Sequence, residues 1–335
     1  MEELKMKKVV VWLLALIMVF SMVACGGSTE AEAPAAEATE APAAAPAVEE
    51  EQLRVALSMH SQSIAFTKTL AESFKAQAEE RGWKCTVTDA NADSALQVSQ
   101  IEDLVAQKPD YLVVSPVDAS ALGNALQTAV DAGIPVINVN TALTAEDHDK
   151  VECIIMSDNH GGGVALGEWL VENLPENSSM GILNYPQVRA IDERVQAMMG
   201  VLEEKRPDVT MHYQALTDLS KLTNYVEDML MAHNEINSFF AIADEYAIAA
   251  KSVCAQNGKP DAIAVGFDGS PAGKQAVRDG DLTATCVNSC ISIATAACEA
   301  IDKLVAGEAL EFNISTAMWV IDKTNVEQYG YDSFN

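Results

Sequence analysis

The sequence is short of positive charge, of aromatic rings and of histidine. Lysine and arginine number 21 against 49 aspartates and glutamates, for a formal net charge of −28. Nucleic-acid phosphates would be repelled by such a chain, so a nucleic-acid partner is excluded. The sign says little more, because acidic surfaces mainly keep proteins soluble and apart. No Walker sequence and no G-x-G-x-x-G is present, so nucleotide binding has no support. No G-x-S-x-G elbow accompanies the HGGG run at 160–163, which removes an esterase reading and leaves glycines suited to close helix packing. The five histidines, His60, His148, His160, His212 and His233, show no metal-ligand spacing, and His233 reads as a helix-end residue. No C-x-x-C occurs. Cys286-x3-Cys290 is the closest cysteine pair and has no nearby histidine to complete a zinc site.

What is present begins with a leader. From Met6, "MKKVVVWLLALIMVFSMVACGG" sets Lys7 and Lys8 before an apolar run, Val9 to Val23. The run is too short for a comfortable membrane span and reads as a signal peptide over 1–24. Glu2 and Glu3 sit badly ahead of it, which favours Met6 over Met1 as the start. Met22-Val23-Ala24-Cys25 resembles a bacterial lipobox, with Met22 where leucine is usual. That resemblance implies cleavage before Cys25, lipidation of its thiol and a lipid anchor on the extracytoplasmic side of the bacterial cell membrane; the plainer reading is an ordinary cleavage site. The Ala/Pro/Glu stretch that follows, within 25–52, has almost no large apolar side chain and reads as a disordered acidic tether. Stretched out, its length corresponds to roughly 90–95 Å. In that compartment disulfides could form. Cys85, Cys153, Cys254, Cys286, Cys290 and Cys298 are instead scattered through ordinary strand and helix patterns, and read as buried free thiols.

From Leu53 onward strand and helix patterns alternate. "LRVALSM", "WKCTVTDA", "YLVVSP" and "IPVINVN" read as strands separated by helices, one of them "ASALGNALQTAVDAG". The cycle restarts at "DNHGGGVALGEWLVENL" and runs through "MGILNY", "VTMHYQAL", "SFFAIAD", "AIAVGFD" and "LTATCVN", before a last helix and "TAMWVID". Strands this apolar are buried on both faces, so parallel sheets covered by helices are expected. There are more strands than one sheet takes comfortably. Residues 110–140 and 238–268 repeat one plan, strand, acidic loop, helix, glycine, strand, which points to two similar lobes.

In open parallel sheets, ligands sit beyond the carboxyl ends of the strands. That rule selects His60, Phe66, Asp89, Ser115, Asn138 and Asn140 on one lobe, and Asn184, Thr217, Asp218, Asp244, Asp268 and Asn288 on the other. Two rims of amides, hydroxyls and carboxylates suit a small polyhydroxylated ligand. "DANADSALQVSQ" at 89–100 opens like an EF-hand, but Ser94 stands where glycine is needed and Gln100 where glutamate is needed; it reads as a strand-to-helix loop capped by Asp93 or Ser94. Asp268, in "VGFDGSP", sits where some phosphatases carry a nucleophile. That chemistry needs a second aspartate two residues on, and Ser270 is there, so Asp268 reads as a hydrogen-bond acceptor.

With "DYLVVSPVDASALGNAL", "AGIPVINVN", "SDNHGGG", "ADEYAIAA", "VGFDGSP" and "LTATCVN" in this order and spacing, residues 53–323 resemble the type I periplasmic binding proteins, in the ribose/galactose-binding branch that serves ABC importers. The resemblance implies an α/β fold of two doubly wound parallel-sheet lobes joined by a three-crossover hinge near Ser157, Ser289 and Ala317. The lobes would be 53–156 plus 289–317 and 157–288 plus 318–335. It further implies that Asp268 accepts sugar hydroxyls, that Asn288 supplies an amide, that Arg194 reaches ring oxygen or hydroxyls, that Phe66 stacks on the sugar, and that Asn140 stands where relatives have Asp or Asn. Thr141 departs from a basic residue, Ala243 from an asparagine, Thr217 or Asp218 from an aromatic, and Ile64 from a polar residue. With one stacking aromatic, an ordinary pyranose is not the expected ligand. Each residue also has a plainer reading: Asp268 as a turn cap, Arg194 as a surface residue beside Glu193, Phe66 as core, Asp244 as a helix cap.

The expected protein is a monomeric, lipid-anchored solute-binding protein. It captures a sugar or sugar-like polyol by hinge closure, delivers it to an ABC transporter permease, and needs no cofactor or metal. The alternative is a sugar sensor of the same fold for a receptor kinase. A LacI-type regulator would need an N-terminal helix-turn-helix where 1–52 supply a leader and a tether. A secreted enzyme would need a nucleophile–base set, and none can be assembled.

Overall fold

The computed structural model describes residues 52–334. The leader, Cys25 and the tether apart from Gln52 lie outside the described residues. Strand β1 (Arg54–Met59) leads through α1 (Ala65–Glu80) to β2 (Lys84–Asp89). The chain continues through α2 (Ser94–Ala106), β3 (Tyr111–Val114), α3 (Gly123–Asp131), β4 (Val136–Val139) and β5 (Cys153–Ser157). The second series is α4 (Asn159–Asn173), β6 (Ser179–Asn184), α5 (Arg189–Lys205), β7 (Thr210–Ala215), α6 (Leu222–Ala232), β8 (Ser238–Phe240), α7 (Asp244–Gln256), β9 (Ile263–Asp268), α8 (Pro271–Asp279) and β10 (Ala284–Val287). Helix α9 (Cys290–Val305), β11 (Asn313–Thr316) and β12 (Trp319–Asp322) follow.

Among the described residues these strands form two six-stranded sheets, in the orders β11-β5-β4-β3-β1-β2 and β12-β10-β9-β8-β6-β7. The chain therefore crosses between sheets three times, after β5, after β10 and after β11. The first sheet is parallel throughout. The second departs from the all-parallel expectation at its edge, where β12 runs antiparallel to β10 with Trp319 opposite Val287 and Asp322 opposite Ala284. The cause is the shortness of the last crossover. Strand β11 ends at the carboxyl edge of the first sheet, and Ala317 and Met318 can only bring the chain into the second sheet at its carboxyl edge, from which β12 must run backwards.

The apolar runs bury both faces as their composition requires. Val55, Leu57 and Met59 of β1 pack with α1 and α9, whereas Ala56 packs on the other face with Leu112, Val114 and Ile101. A separate cluster around Phe239, Phe240 and Phe267 fills the second lobe. Helices α4 and α5 approach closely because Gly163 has no Cβ: one built there would lie 2.2 Å from the Arg194 carbonyl oxygen. The HGGG stretch is thus a packing surface, and Asp158 caps the helix that carries it by accepting from the Gly161 N–H at 2.8 Å. Asp93 settles the other loop by accepting from the Ala95 and Leu96 N–H groups at 2.9 and 3.0 Å. All six described cysteines are free; Cys85 is half-buried and the rest are buried.

Candidate functional site

The rims that face the crossovers carry the polar groups. In the second lobe β9 ends at Asp268, whose φ of 103° is a conformation that L residues rarely adopt. The strain is held by what surrounds it. Gly269 follows with its N–H donating to Thr285 Oγ1 at 3.1 Å, and the Asn288 N–H donates to the Asp268 carbonyl at 3.2 Å. Below this loop lies Asp244, at the first position of α7 and fully buried. Its carboxylate accepts from the Ser270 N–H and hydroxyl, both at 2.7 Å, and from the Thr285 hydroxyl. Burial, with the neighbouring Asp268 charge, pushes the Asp244 carboxyl up to about 7. Asp244 therefore fixes the 268–273 loop from a buried position.

Arg194 comes from α5. Its side chain is 7% exposed, and its Nη1 lies 3.7 Å from Asp268 Oδ1, whose side chain is 31% exposed. The guanidinium covers the Phe267 ring at 4.7 Å, and its Nε donates to the Ala190 carbonyl at 3.3 Å. Burial pushes the Asp268 carboxyl up and the Arg194 guanidinium down, each opposed by the other's charge. Arg194 Nη1 is buried without a hydrogen-bond partner among the described residues. A buried cationic donor in that state costs free energy unless an acceptor reaches it.

On the first lobe His60 Nδ1 lies 3.0 Å from Ser115 Oγ, and Asn140 Nδ2 approaches the same hydroxyl at 3.5 Å. Burial pushes the His60 imidazole down, partly offset by Asp89. Asn140 also has a positive φ, 66°, which asparagine tolerates. Ser157 Oγ donates across the hinge to Asn288 Oδ1. A hollow of about 610 Å³ opens between the lobes, lined by Asn140, Thr141, Met156 and Ser157 on one side and Arg189 and Glu193 on the other.

The structure thus joins Asp268, Arg194 and Asn288 on one rim and His60 and Asn140 on the other, with Thr141 exposed beside Asn140. Other expected residues are engaged elsewhere. Phe66 meets Phe334 edge-on at 5.6 Å between ring centroids, at the margin of the first lobe's core. Asp218 accepts from the Ser220 N–H and hydroxyl and pairs with Lys221, which together hold its carboxyl below the usual range. Sequence reasoning missed Arg189, Glu193 and Met156 as cleft-lining residues. Arg189 and Glu193 carried a signal, since they follow β6 at the same strand end that singled out Asn184. Among the described residues the rims gather no cluster of histidine, cysteine and carboxylate ligands; His212, His233 and Glu235 approach one another away from them.

Ser157, Asn140, Glu193 and Arg189 bring hydroxyl, amide, carboxylate and guanidinium groups to one hollow, where they can exchange many hydrogen bonds with a neutral polyhydroxylated molecule; Asp268, Arg194, Asn288 and His60 stand outside its lining. Two doubly wound lobes, three crossovers and a polar interlobe hollow define a bilobal binding protein of type I topology. The chain belongs to the periplasmic binding protein family, in its type I ribose/sugar branch: the family described as "Periplasmic binding protein domain" matches residues 55–309. The ribose import binding protein of Bacillus subtilis is 29% identical over 268 residues, covering 80% of this chain and 86% of that protein. A solved periplasmic ribose ABC transporter protein from Conexibacter woesei superposes with a TM-score of 0.75 at 23% identity, over 83% of this chain and 94% of that one. An Actinobacillus succinogenes solute-binding protein with bound D-allose gives 0.73 at 24% identity, over 83% of this chain and all of the other. Membership makes the chain a binding protein and not an enzyme, and implies an extracytoplasmic location. No helix among the described residues is long and apolar enough to cross a membrane.

Proposed function

We propose that the chain captures a sugar or sugar-like polyol between its lobes and delivers it to an ABC importer, as a monomer anchored to the membrane through lipidated Cys25. The observation that carries the sugar reading is the Arg194–Asp268 pair, with a buried guanidinium nitrogen that lacks a hydrogen-bond partner. A sugar oxygen supplies the acceptor that Arg194 Nη1 lacks, and a sugar hydroxyl donates to Asp268. His60, Asn140 and Asn288 complete the polar contacts. Asp244 acts through the loop it holds. Thr141 lines the hollow beside Asn140, whereas Phe66 and Asp218 are engaged elsewhere and contact ligand only after the lobes move.

The moving bodies in this reading are 53–156 with 289–317, and 157–288 with 318–335. Ligand contacts to both bodies stabilise the closed arrangement. The names of the relatives put ribose and allose first in a panel of sugars and polyols. A thermal-shift screen over that panel should give a selective rise in melting temperature, since ligand at about a hundred times Kd adds roughly 2.7 kcal/mol of apparent stability. X-ray scattering with the selected ligand should show a smaller radius of gyration. A panel without a single hit, checked by calorimetry, would remove the sugar reading. Lipidation is tested separately: Cys25→Ser should move the protein from the detergent to the aqueous phase of a detergent extraction, and equal partitioning would remove the anchor.

A further inference from the structure

We propose that the second lobe carries a divalent transition-metal site, with zinc as the fitting ion, formed by His212, His233 and Glu235. His212 projects from β7, the edge strand of its sheet. His233 is the C-cap of α6, and Glu235 follows in the turn that leads into β8. Linear spacing hides the set because its members come from a strand, a helix end and a turn. Glu235 Oε1 lies 3.7 Å from His212 Nε2 and 3.6 Å from His233 Nδ1. The three ligand atoms all fall within 4.8 Å of one another. Ligands at about 2.0–2.2 Å from a tetrahedral zinc ion are separated by roughly 3.3–3.6 Å, so the set needs to contract by only a few tenths of an ångström where distances are known.

The donor set, two imidazoles and a carboxylate, is one that zinc takes. The two imidazole rings lie 3.9 Å apart between centroids, inclined at 31°. Imidazole nitrogens are what a borderline ion such as zinc binds, whereas calcium and magnesium prefer oxygen. Glu235 is exposed, with 61% of its side chain accessible, so the ion keeps at least one position open to solvent. A hollow of about 440 Å³ beside the two rings, also bordered by Asp228, leaves room for that position. His212 Nε2 already has a partner, the Ser179 hydroxyl at 2.9 Å, and metal binding must displace it. The site lies at the amino edge of the sheet, since His233 precedes β8 and Ser179 begins β6. It is therefore remote from the Asp268 rim and does not depend on the sugar reading.

The test uses the full-length chain without a histidine tag, titrated with Zn²⁺ in a calorimeter beside a Mg²⁺ control. One Zn²⁺ should bind per chain, and Mg²⁺ should not. His212→Ala and His233→Ala should each lower affinity by at least about tenfold, the loss that even an outer-sphere partner of a metal ligand causes. Glu235→Gln should weaken binding by a smaller factor. Ser179→Ala, which removes the competing hydroxyl, should tighten it, an outcome that casual binding to surface histidines would not give. Circular dichroism on each variant separates loss of the site from loss of the fold. Absence of Zn²⁺ binding to the wild type would overturn the proposal. So would equal affinity in wild type and in the folded His212→Ala/His233→Ala double variant.

Discussion

Asp268→Ala separates two consequences of one side chain. The ligand loses a carboxylate acceptor, and charge-assisted hydrogen bonds contribute about 1.5–3 kcal/mol each. At about 1.4 kcal/mol per decade, losing one such bond weakens binding roughly tenfold to a little over a hundredfold. The protein also loses the counter-charge of Arg194, which is 7% exposed. Breaking a buried ion pair from one side costs about 3–5 kcal/mol. The cost here is smaller, roughly 1–3 kcal/mol, because the Asp268 side chain is 31% exposed and the pair is separated by 3.7 Å. Melting should fall by about 2–4 °C per kcal/mol for a domain of this size. Asp268→Asn keeps an acceptor oxygen and tolerates a positive φ, so it should bind more weakly than wild type and more tightly than Asp268→Ala. The double variant Arg194→Met/Asp268→Ala removes both charges; it should regain stability over Asp268→Ala while remaining defective in binding. Calorimetry with the ligand selected by the thermal screen gives affinity, and calorimetric melting gives stability. Unchanged affinity in Asp268→Ala would show that the carboxylate only shapes its turn. A double variant no more stable than Asp268→Ala would show that Arg194 does not need its partner.

Two further outcomes follow from the same loop and from the tail. Asp244 has a folded pKa of about 7 against an ordinary 3.8, so the folded state holds its proton more tightly. Its contribution is fully present below about pH 4 and is lost as pH rises toward about 7, by at most about 4 kcal/mol at about 1.4 kcal/mol per unit. Asp244→Asn mimics the protonated form and should flatten the stability profile over that window in urea melts; an unchanged slope would mean the carboxyl titrates normally. Phe334 is 7% exposed in the first lobe's cluster, while the Ser333 carbonyl accepts from Lys274 of the second at 2.8 Å. Phe334→Ala should cost about 2–4 kcal/mol, slightly less than a fully enclosed phenylalanine, and a loss below 0.5 kcal/mol, about the scatter of surface substitutions, would mean that the ring is loosely held.

How far the chain could be read without coordinates varied with the kind of signal. Local patterns sufficed for β3, since "YLVV" between Pro109 and Pro116 has no alternative partner for its apolar run. They overran at α3, expected from Ala119 and found from Gly123, because Asp118 accepts from the Ser120 N–H and hydroxyl and holds a turn there. They overran again at β8, where the ladder to β6 covers only Ser238–Phe240. The reversed β12 depends on where a short crossover emerges, which no local pattern encodes. In the site, Asp268 could be found from its place at a strand end. Its pairing with Arg194, the burial of Asp244 beneath it and the Phe66–Phe334 contact are separated by tens to hundreds of residues, and only the family resemblance hinted at the first of these.

The buried cysteines bear on how the protein can be labelled. Burial raises the Cys153, Cys290 and Cys298 thiols to about 12, and Cys254 to about 11. Half-buried Cys85 is also raised to about 12. A thiol near 12 carries about a thousandfold less reactive thiolate than an ordinary one at neutral pH. A cysteine introduced on either rim would therefore outpace every native thiol among the described residues in reaction with a maleimide dye. Pairs of such dyes can report lobe separation in single molecules without first stripping the native cysteines from the core.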